Sequence, residues 1–294
     1  VQKSVFECQV DEMQFEALER KLLDEIDAIM GPQVSQRESG DSASGITLRR
    51  ASDITPEHVE WLWDGWLARG KLHLLAGPPG VAKTTIAMGL AAAITTGGRL
   101  PDGTTAPVGE VLIWSGEDAA DDTLVPRLIA ARADLTKVHF VETVADRGEQ
   151  RPFNPATDIP ALAKTLRALE TKPAMMLVDP IVTAITGDSH KNAEVRQGLL
   201  PIENLAKEFD TCTIGITHYS KGTQKKDPVE RVTGSIAFGA APRVVLAAAR
   251  RRESEGGGRI LVRAKCSVGK DGDGFEYDVV AAELAQHRGI RTSR

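Results

Sequence analysis

The hydrophobic positions of residues 46–294 follow two repeating patterns. Short apolar runs of strand length occur in the segments KLHLLAG, GEVLIWSG, KVHFVET, AMMLVD and CTIGITH. Longer stretches with helical spacing separate them, around residues 84–95, 121–134, 158–170 and 192–209. Strands that alternate with helices predict a mostly parallel central sheet with helices on both faces. We therefore expect an α/β fold.

The pattern changes from about Arg243 onwards. The apolar runs there are VVLAAAR, RILVRAK and FEYDVVAA, and the segments RRESEGGG and CSVGKDGDG join them. Glycine-rich connections of this length are typical of antiparallel neighbours. These runs therefore predict antiparallel C-terminal strands at the edge of the sheet.

The N-terminal residues have a pattern of their own. One apolar stripe, with steps of three and four, is formed by Phe15, Leu18, Leu22, Ile26 and Ile29. It predicts an amphipathic helix within residues 1–32, and residues 33–45, rich in Ser and Gly, predict a flexible linker before a single domain at 46–294. Two interpretations of the helix stay open: it packs on the protein's own core, or it docks on a neighbouring subunit or a fused domain.

Composition narrows the class of protein. The chain has 294 residues, of which 41% are hydrophobic, so it is long enough and apolar enough to bury a large core. A formal net charge of −5 argues against a surface that attracts nucleic acid everywhere, but it is compatible with a local basic loop. No apolar run approaches the roughly 18 residues of a membrane span, and the first residues lack the pattern of a signal peptide. We therefore expect a cytoplasmic protein.

The segment GPPGVAKT, residues 77–84, lies between an apolar strand and an apolar helix, which is the setting of a phosphate-binding P-loop. Backbone N–H groups of such a loop surround phosphate oxygens, its lysine reaches the β- and γ-phosphates, and its Thr hydroxyl binds Mg²⁺. One position departs from the usual motif, because Ala82 stands where glycine is usual. We expect ATP and Mg²⁺ as ligands, with Thr84 at the metal. The residues expected to bind the nucleotide are Gly77, Pro78, Pro79, Gly80, Val81, Ala82, Lys83, Thr84 and Thr85.

Carboxylates follow two of the apolar runs. AMMLVDP ends in Asp179, which matches the second motif of P-loop NTPases and is expected near Mg²⁺. GEVLIWSGED delivers Glu117 and Asp118 at the carboxyl end of a strand, where the sites of parallel sheets lie. We expect Glu117 to act as general base, with Asp118 in reserve. A helix N-cap with acidic first-turn residues is the alternative, and it suits Asp118, Asp121 and Asp122 better.

A histidine and a basic loop follow the run CTIGITH. His218 ends this run, and we expect it to sense the γ-phosphate and to relay its state to the loop; a purely structural histidine is the alternative. The basic residues of the loop are Lys221, Lys225, Lys226 and Arg231. They are expected to contact a nucleic-acid backbone, and the alternative is an ordinary solvated loop.

Taken together, these segments resemble the RecA-like P-loop ATPases, and within them the hexameric replicative helicases of the RepA type found in plasmids and phages. The resemblance covers about residues 46–282 and rests on the segments WLWDGWLARGKLHLLAG, GPPGVAKTT, SGED, MLVDP, THYSK, RVTGSIAFGAAPR and VRAKCSVG in that order. It implies that Lys83 and Thr84 bind nucleotide and metal, that Glu117 is the catalytic carboxylate and that His218 senses phosphate.

The same resemblance implies that part of the site comes from a second subunit. Arg243, eight residues after Gly234-Ser235, matches the arginine that inserts into the neighbour's site. Lys265 resembles a second cation supplied in trans, and an edge-strand lysine that discourages aggregation is an equally open interpretation. The family further implies a homohexameric ring, single-stranded DNA in its channel, and a primase or another replication protein as a partner.

Two other functions remain open. One is a regulatory or scaffolding ATPase that uses nucleotide to switch subunit contacts without translocation. The other is a recombination-type ATPase that forms a filament on DNA. A translocase needs the basic loop at 219–233, whereas a switch does not.

Overall fold

The computed structural model of the chain describes residues 46–146, 148–189, 191–220, 229, 231–232, 236–252, 257–287 and 289–294. The chain divides into two compact units, Val1–Pro56 and Glu57–Arg294. The N-terminal helix and linker predicted for residues 1–45 lie outside the described residues. In the first unit, a single 3₁₀ turn at Ala51–Asp53 is described.

The second unit is built from short strands and five described helices. Its strands are β1 (Trp61–Trp63), β2 (Leu67–Ala68), β3 (Leu72–Gly77), β4 (Val111–Ser115), β5 (Val138–Phe140), β6 (Thr143–Asp146), β7 (Glu149–Pro152), β8 (Met175–Asp179), β9 (Cys212–His218), β10 (Val244–Arg250), β11 (Arg259–Cys266), β12 (Gly274–Tyr277), β13 (Ala281–Leu284) and β14 (Ile290–Ser293). Its helices are α1 (Lys83–Thr96), α2 (Val125–Ala130), α3 (Ile159–Ala168), α4 (Asn192–Glu208) and α5 (Ile236–Ala240). A π-helical turn at Ala120–Leu124 leads into α2.

An eight-stranded sheet forms the centre, in the order β12-β11-β10-β3-β9-β8-β4-β5. The six strands from β10 to β5 are parallel to their neighbours, and β11 and β12 pair antiparallel at one edge. The predicted mostly parallel sheet with antiparallel C-terminal edge strands is confirmed, except that VVLAAAR, which forms β10, is not at the edge and pairs parallel with β3.

Apolar side chains fill both faces of this sheet because successive residues of a strand point to opposite sides. On one face Leu75 of β3 packs in the same cluster as Met88 and Ile94 of α1. On the other face Leu74 packs in a cluster with α3 and α4. Helices therefore cover both faces, as the alternating pattern predicted.

The end of the chain departs from the predicted pattern. FEYDVVAA does not form one strand: β12 ends at Tyr277, and the chain then leaves the sheet to form β13, which pairs antiparallel with β14 in a separate ribbon. Each strand of this ribbon keeps much of its length exposed, so it carries little hydrophobic signal. Among the residues that the structure describes, no helix is both long and apolar enough to cross a bilayer.

Candidate nucleotide site

The carboxyl ends of four parallel strands bring the predicted motifs to one end of the sheet. β9 lies between β3 and β8, and His218, the last residue of β9, is the register partner of Gly77 at the end of β3. β4 pairs with β8 and sets Ser115 opposite Asp179. The P-loop, Asp179, His218 and the Glu117 segment are therefore assembled by topology alone.

Glycine and alanine backbone geometry shapes the P-loop. A Cβ on Gly77 would lie 2.4 Å from the carbonyl oxygen of Ala248, so a larger residue does not fit there. Gly80 adopts a φ of +76°. Ala82 adopts φ 64° and ψ 39°, the left-handed region that disfavours side chains with a Cβ. The loop thus retains the usual left-handed turn before α1, although an alanine makes it.

Lys83 begins α1 and is only 6% exposed. Its Nζ donates to the carbonyl oxygens of Gly77 and Pro78 at 3.1 and 3.2 Å, and it lies 3.0 Å from Nδ1 of His218. Burial lowers the pKa of Lys83, and the carboxylates of Asp179 and Glu117 oppose that shift. Burial, together with the charge of Lys83, also lowers the pKa of His218, so its imidazole is neutral. Nδ1 of this ring accepts a hydrogen bond from the Lys83 ammonium group.

Thr84 and Asp179 form the second half of the site. The Thr84 hydroxyl donates to Oδ2 of Asp179 at 3.0 Å. Asp179 is 3% exposed, and burial raises its pKa to about 6, with further contributions from the charges of Glu117 and Asp118. A hydroxyl beside a buried carboxylate suits Mg²⁺, which binds proteins through one or two such oxygens together with nucleotide phosphates. The two residues therefore fit the metal that the P-loop motif implies.

The two carboxylates after β4 differ in their surroundings. Oδ2 of Asp118 accepts from Arg127 of α2 at 2.7 Å, and the Asp118 N–H donates to the Ser115 hydroxyl at 3.0 Å. Glu117 is exposed, and its charge acts on both Lys83 and Asp179. Asp118 is thus held as part of the turn into α2, whereas the charge of Glu117 lies near enough to influence Lys83 and Asp179.

Three further residues touch the P-loop and its helix without having been predicted. Nη2 of Arg250, at the end of β10, donates to the Gly80 carbonyl at 3.1 Å. The Tyr277 hydroxyl of β12 donates to the Val81 carbonyl at 2.5 Å. Thr85 Oγ1 lies 3.4 Å from Ser293 Oγ of β14. The sequence contains a signal for Arg250 as a site residue, since it ends an apolar run as Asp179 and His218 do. Tyr277 and Ser293 depend on strand pairings that the sequence pattern does not reveal.

An apolar cavity of about 330 Å³ lies beside the loop. Its lining includes Ala82, Thr85 and Ile86 at the start of α1, together with Leu261, Tyr277 and Val279 from the C-terminal part of the chain. The phosphate end of the site therefore adjoins a space with the apolar walls that a nucleoside requires.

Arg243 lies at the opposite end of the sheet. It directly precedes β10, and its N–H donates to the carbonyl oxygen of Leu72 at 3.0 Å, where β3 begins. The P-loop begins at the other end of β3, five residues away, which is roughly 17 Å along a strand. A single chain therefore does not bring Arg243 and its own P-loop together.

Lys265 of β11 is close to Arg243, because Val245 is its partner in the sheet. Its Nζ donates to the carbonyl oxygens of Gly239, Ala240 and Pro242 at 2.8 to 2.9 Å. Burial, and then the charge of Arg243, lower its pKa. In this chain Lys265 caps the carbonyl end of α5.

The basic loop after β9 is described only in part. Lys221, Lys225 and Lys226, together with Gly234 and Ser235, lie outside the described residues. A bridge between Tyr219 and Val232 closes the base of the loop. The guanidinium of Arg231 lies 4.3 Å from the centre of the Tyr219 ring, so this predicted nucleic-acid contact packs on the stem of the loop.

This fold and this arrangement of Lys83, Thr84 and Asp179 define a P-loop ATPase with a RecA-like core. A family model described as an AAA domain matches residues 42–224, more than half of the chain, and the chain belongs to that family. The match includes the P-loop, Asp179 and His218, whereas Arg243, Arg250 and Lys265 follow it. No curated protein matches the chain.

Proposed function

We propose that this ATPase depends on Mg²⁺, assembles into a ring of identical subunits, and moves along single-stranded DNA as a replicative helicase of plasmid or phage type. The observation that carries the proposal is the position of Arg243. It lies at the amino end of the same strands whose carboxyl ends hold the P-loop. Each chain then supplies two halves of different sites, and a neighbour is needed to complete each one. A ring of six is the form that the family resemblance implies.

Within one chain, the residues at the carboxyl ends of the parallel strands have separate roles in hydrolysis. Lys83 exchanges its two loop carbonyls for phosphate oxygens, and Thr84 and Asp179 hold the metal. Mg²⁺, when bound, neutralises charge that develops on the phosphates. Glu117 orients the attacking water and accepts its proton. His218, in contact with Lys83, is placed to respond to the phosphate that Lys83 binds.

Arg243 supplies the charge that this constellation needs from outside. Phosphoryl transfer spreads negative charge over the γ-oxygens, and an arginine from a neighbouring subunit contributes on the order of 10³ to 10⁵ in rate. Arg250 also approaches the loop within the chain, but its guanidinium is bonded to the Gly80 carbonyl. We assign nucleotide binding to Arg250 and hydrolysis to Arg243.

DNA binding rests on the basic loop at 219–233. Lysines that follow a phosphate-sensing histidine suit contact with a DNA backbone without sequence reading, and such binding weakens as salt is added. A gel shift that is indifferent to salt would contradict this part of the proposal. A primase or another replication protein is the further partner that we propose.

One observation favours a different function, that of a regulatory or scaffolding ATPase switch. Tyr219 is the loop's sole aromatic residue, and Arg231 covers a face of its ring. Base stacking, which contributes much of the affinity of single-stranded DNA-binding proteins, therefore has little support in this loop. A recombination-type filament ATPase would use the same head-to-tail contacts and would be distinguished by its open form on DNA.

The first test is steady-state ATP hydrolysis with and without single-stranded DNA, with Lys83→Ala as the blank. We expect Lys83-dependent hydrolysis that DNA stimulates several-fold. Hydrolysis that depends on Lys83 but ignores DNA would favour the switch. A complete lack of hydrolysis would leave a nucleotide-binding protein and contradict the proposed ATPase.

A mixing experiment tests the shared site. Lys83→Ala and Arg243→Ala chains should each be inactive alone, and a mixture of the two should regain part of the wild-type rate. In the mixture, an intact P-loop of one chain meets an intact Arg243 of another. If the mixture stays inactive while Arg243→Ala also loses nucleotide binding, Arg243 acts within its own chain and the ring proposal is wrong.

A further inference from the structure

A charged groove of about 720 Å³ surrounds Arg243 at the amino end of the sheet. It lies between α4 and the starts of β3 and β10. Four cations line it, Lys71, Arg196, Lys207 and Arg243, against the one carboxylate of Glu203. The groove is thus a strongly basic surface on a protein whose net charge is negative.

The periodicity of α4 builds this groove. The buried face of the helix contains Val195, Leu199, Ile202, Leu205 and Ala206. Arg196, Leu200, Glu203 and Lys207 follow one another at steps of four, three and four, and so form the opposite face. Leu200 stands in this face with 50% of its surface exposed. An exposed leucine among charges is typical of the centre of a protein interface with a polar rim.

Glu203 is the one carboxylate among the residues that line the groove. Burial raises the pKa of its carboxyl group, while the charges of Arg243 and Arg196 oppose the shift. With four cations against this one carboxylate in its lining, the groove keeps an excess of positive charge.

The complementary charge is found at the other end of the same molecule. Glu117, Asp121 and Asp122 are exposed beyond the carboxyl end of β4, close in sequence to one another. We call these three residues the acidic edge. Because parallel strands hold the groove and the acidic edge at opposite ends of the sheet, one chain does not pair them with each other.

We propose that the basic groove receives the acidic edge of a second copy of this chain, with Arg196 and Lys207 facing Asp121 and Asp122. The proposal rests on the proposed function, since this docking carries Arg243 towards the neighbour's P-loop. A nucleic-acid backbone is also attracted by cations, but it does not bury the exposed Leu200, whereas a protein surface does. Two different surfaces that fit each other head to tail generate a closed ring or a filament.

Charge reversal on each surface tests this docking. The groove variant is Arg196→Glu with Lys207→Glu, and the edge variant is Asp121→Lys with Asp122→Lys. Mass is measured by sedimentation velocity with ATP and Mg²⁺ present. We expect the wild type to assemble and each variant alone to stay monomeric, because its two surfaces now carry like charges. An equimolar mixture should assemble again, since each surface of one variant is then opposite in charge to its partner on the other.

A matched control has the same change of charge elsewhere. Lys164→Glu with Lys270→Glu reverses two exposed lysines outside the groove and should assemble like the wild type. Thermal unfolding checks each variant, and Asp121→Lys alone replaces the edge variant if the double change does not fold. The docking is wrong if the groove variant assembles normally or if the mixture of the two folded variants stays monomeric.

Two readouts separate this proposal from the proposed function. Assembly is read from mass and hydrolysis from phosphate release. If the two variants assemble only when mixed but the wild type does not hydrolyse ATP, the docking is supported and the proposed ATPase activity is contradicted. A wild type that hydrolyses ATP as a monomer overturns the docking. A groove variant that assembles but loses affinity for single-stranded DNA identifies the groove as a nucleic-acid site and also overturns it.

Discussion

At the residue scale, the nucleotide site contains several features that destabilise the folded protein. Asp179 and Lys83 are ionisable groups buried beside the loop, and Ala82 holds a conformation that glycine prefers. Each of these features costs folding free energy. Such local conflicts are expected where a structure is arranged for a ligand that is charged and close to the backbone.

Replacing Asp179 with Asn should stabilise the protein at neutral pH in the absence of Mg²⁺ and nucleotide. The folded pKa is raised from 3.8 to about 6, so the folded state holds this proton more tightly than the unfolded state. Ionised Asp179 therefore destabilises the fold above pH 6, and the penalty disappears as the pH falls towards 4. By linkage this penalty is about 3 kcal/mol at most.

Urea unfolding at pH 7 and at pH 4 measures the effect. We expect Asp179→Asn to exceed the wild type by about 1–3 kcal/mol at pH 7, and the difference to vanish near pH 4. Asp271→Asn, at an exposed position before β12, is the control for the substitution itself. An Asn variant that is less stable than the wild type at pH 7 would refute the assignment of burial as the main cause.

Replacing Ala82 with Gly should also stabilise the protein. An alanine in the left-handed region costs about 1–2 kcal/mol, and the added freedom of glycine in the unfolded chain offsets roughly 0.4–1 kcal/mol of the gain. The expected net increase in the free energy of unfolding is about 0.5–1 kcal/mol. Ala93→Gly in the interior of α1 is the matched control, and it should lose about 1 kcal/mol. Equal effects of the two changes would show that Ala82 is not strained.

At the element scale, burial decides what the sequence pattern reveals. CTIGITH matches β9 residue for residue because that strand is buried on both faces and stands out as an apolar run. The hairpin of β6 and β7 was not predicted, because six of its eight residues are exposed and leave no hydrophobic alternation. The order of the strands, and with it the contacts of Tyr277 and Ser293, arises from pairing between distant segments. Asp179 and His218 were predicted because sites of parallel sheets lie at the carboxyl ends of the strands. The same reasoning applied to VVLAAAR identifies Arg250 as well.

The two arginines that flank β10 should have separable effects. Arg250→Ala removes a cation beside Gly80 and should weaken ATP binding about tenfold, the typical worth of one charge-assisted hydrogen bond. Arg243→Ala should leave the Kd for ATP largely intact and abolish hydrolysis. Titration of a fluorescent ATP analogue, followed by hydrolysis assays on the same preparations, compares them. Similar Kd values for Arg250→Ala and the wild type would place Arg250 outside the nucleotide site.

Lys265 should behave as a helix cap as well as a neighbour of Arg243. Lys265→Met removes a donor shared by three carbonyls, and we expect a loss of about 1–3 kcal/mol in the free energy of unfolding. The measurement is chemical denaturation of the Met variant beside Lys270→Met, whose side chain is exposed. Unchanged stability together with lost hydrolysis would instead identify Lys265 as a cation that acts in trans.

At the scale of the whole molecule, the parallel sheet separates two surfaces that the proposed reaction needs in contact. The P-loop and the acidic edge lie at the carboxyl ends of the strands, and Arg243 and the groove lie at the amino ends. Activity should therefore depend on the concentration of the protein. Hydrolysis per mole of chain should fall on dilution, and it should fall together with the assembled fraction measured by sedimentation. A specific activity that is constant down to concentrations where only monomers remain would contradict the shared site.

Because Arg243 and the P-loop lie at opposite ends of β3 and β10, the loss of Arg243 in one copy would inactivate the nucleotide site of the neighbouring copy. Under the proposed assembly, an Arg243→Ala chain keeps its own loop intact and silences the loop of its neighbour. We expect such an allele to be partly dominant in a cell that also expresses the wild type, since each altered chain removes one working site from the assembly that it joins. An allele that only unfolds the chain would be recessive, so inheritance itself distinguishes damage to the shared site from damage to the fold.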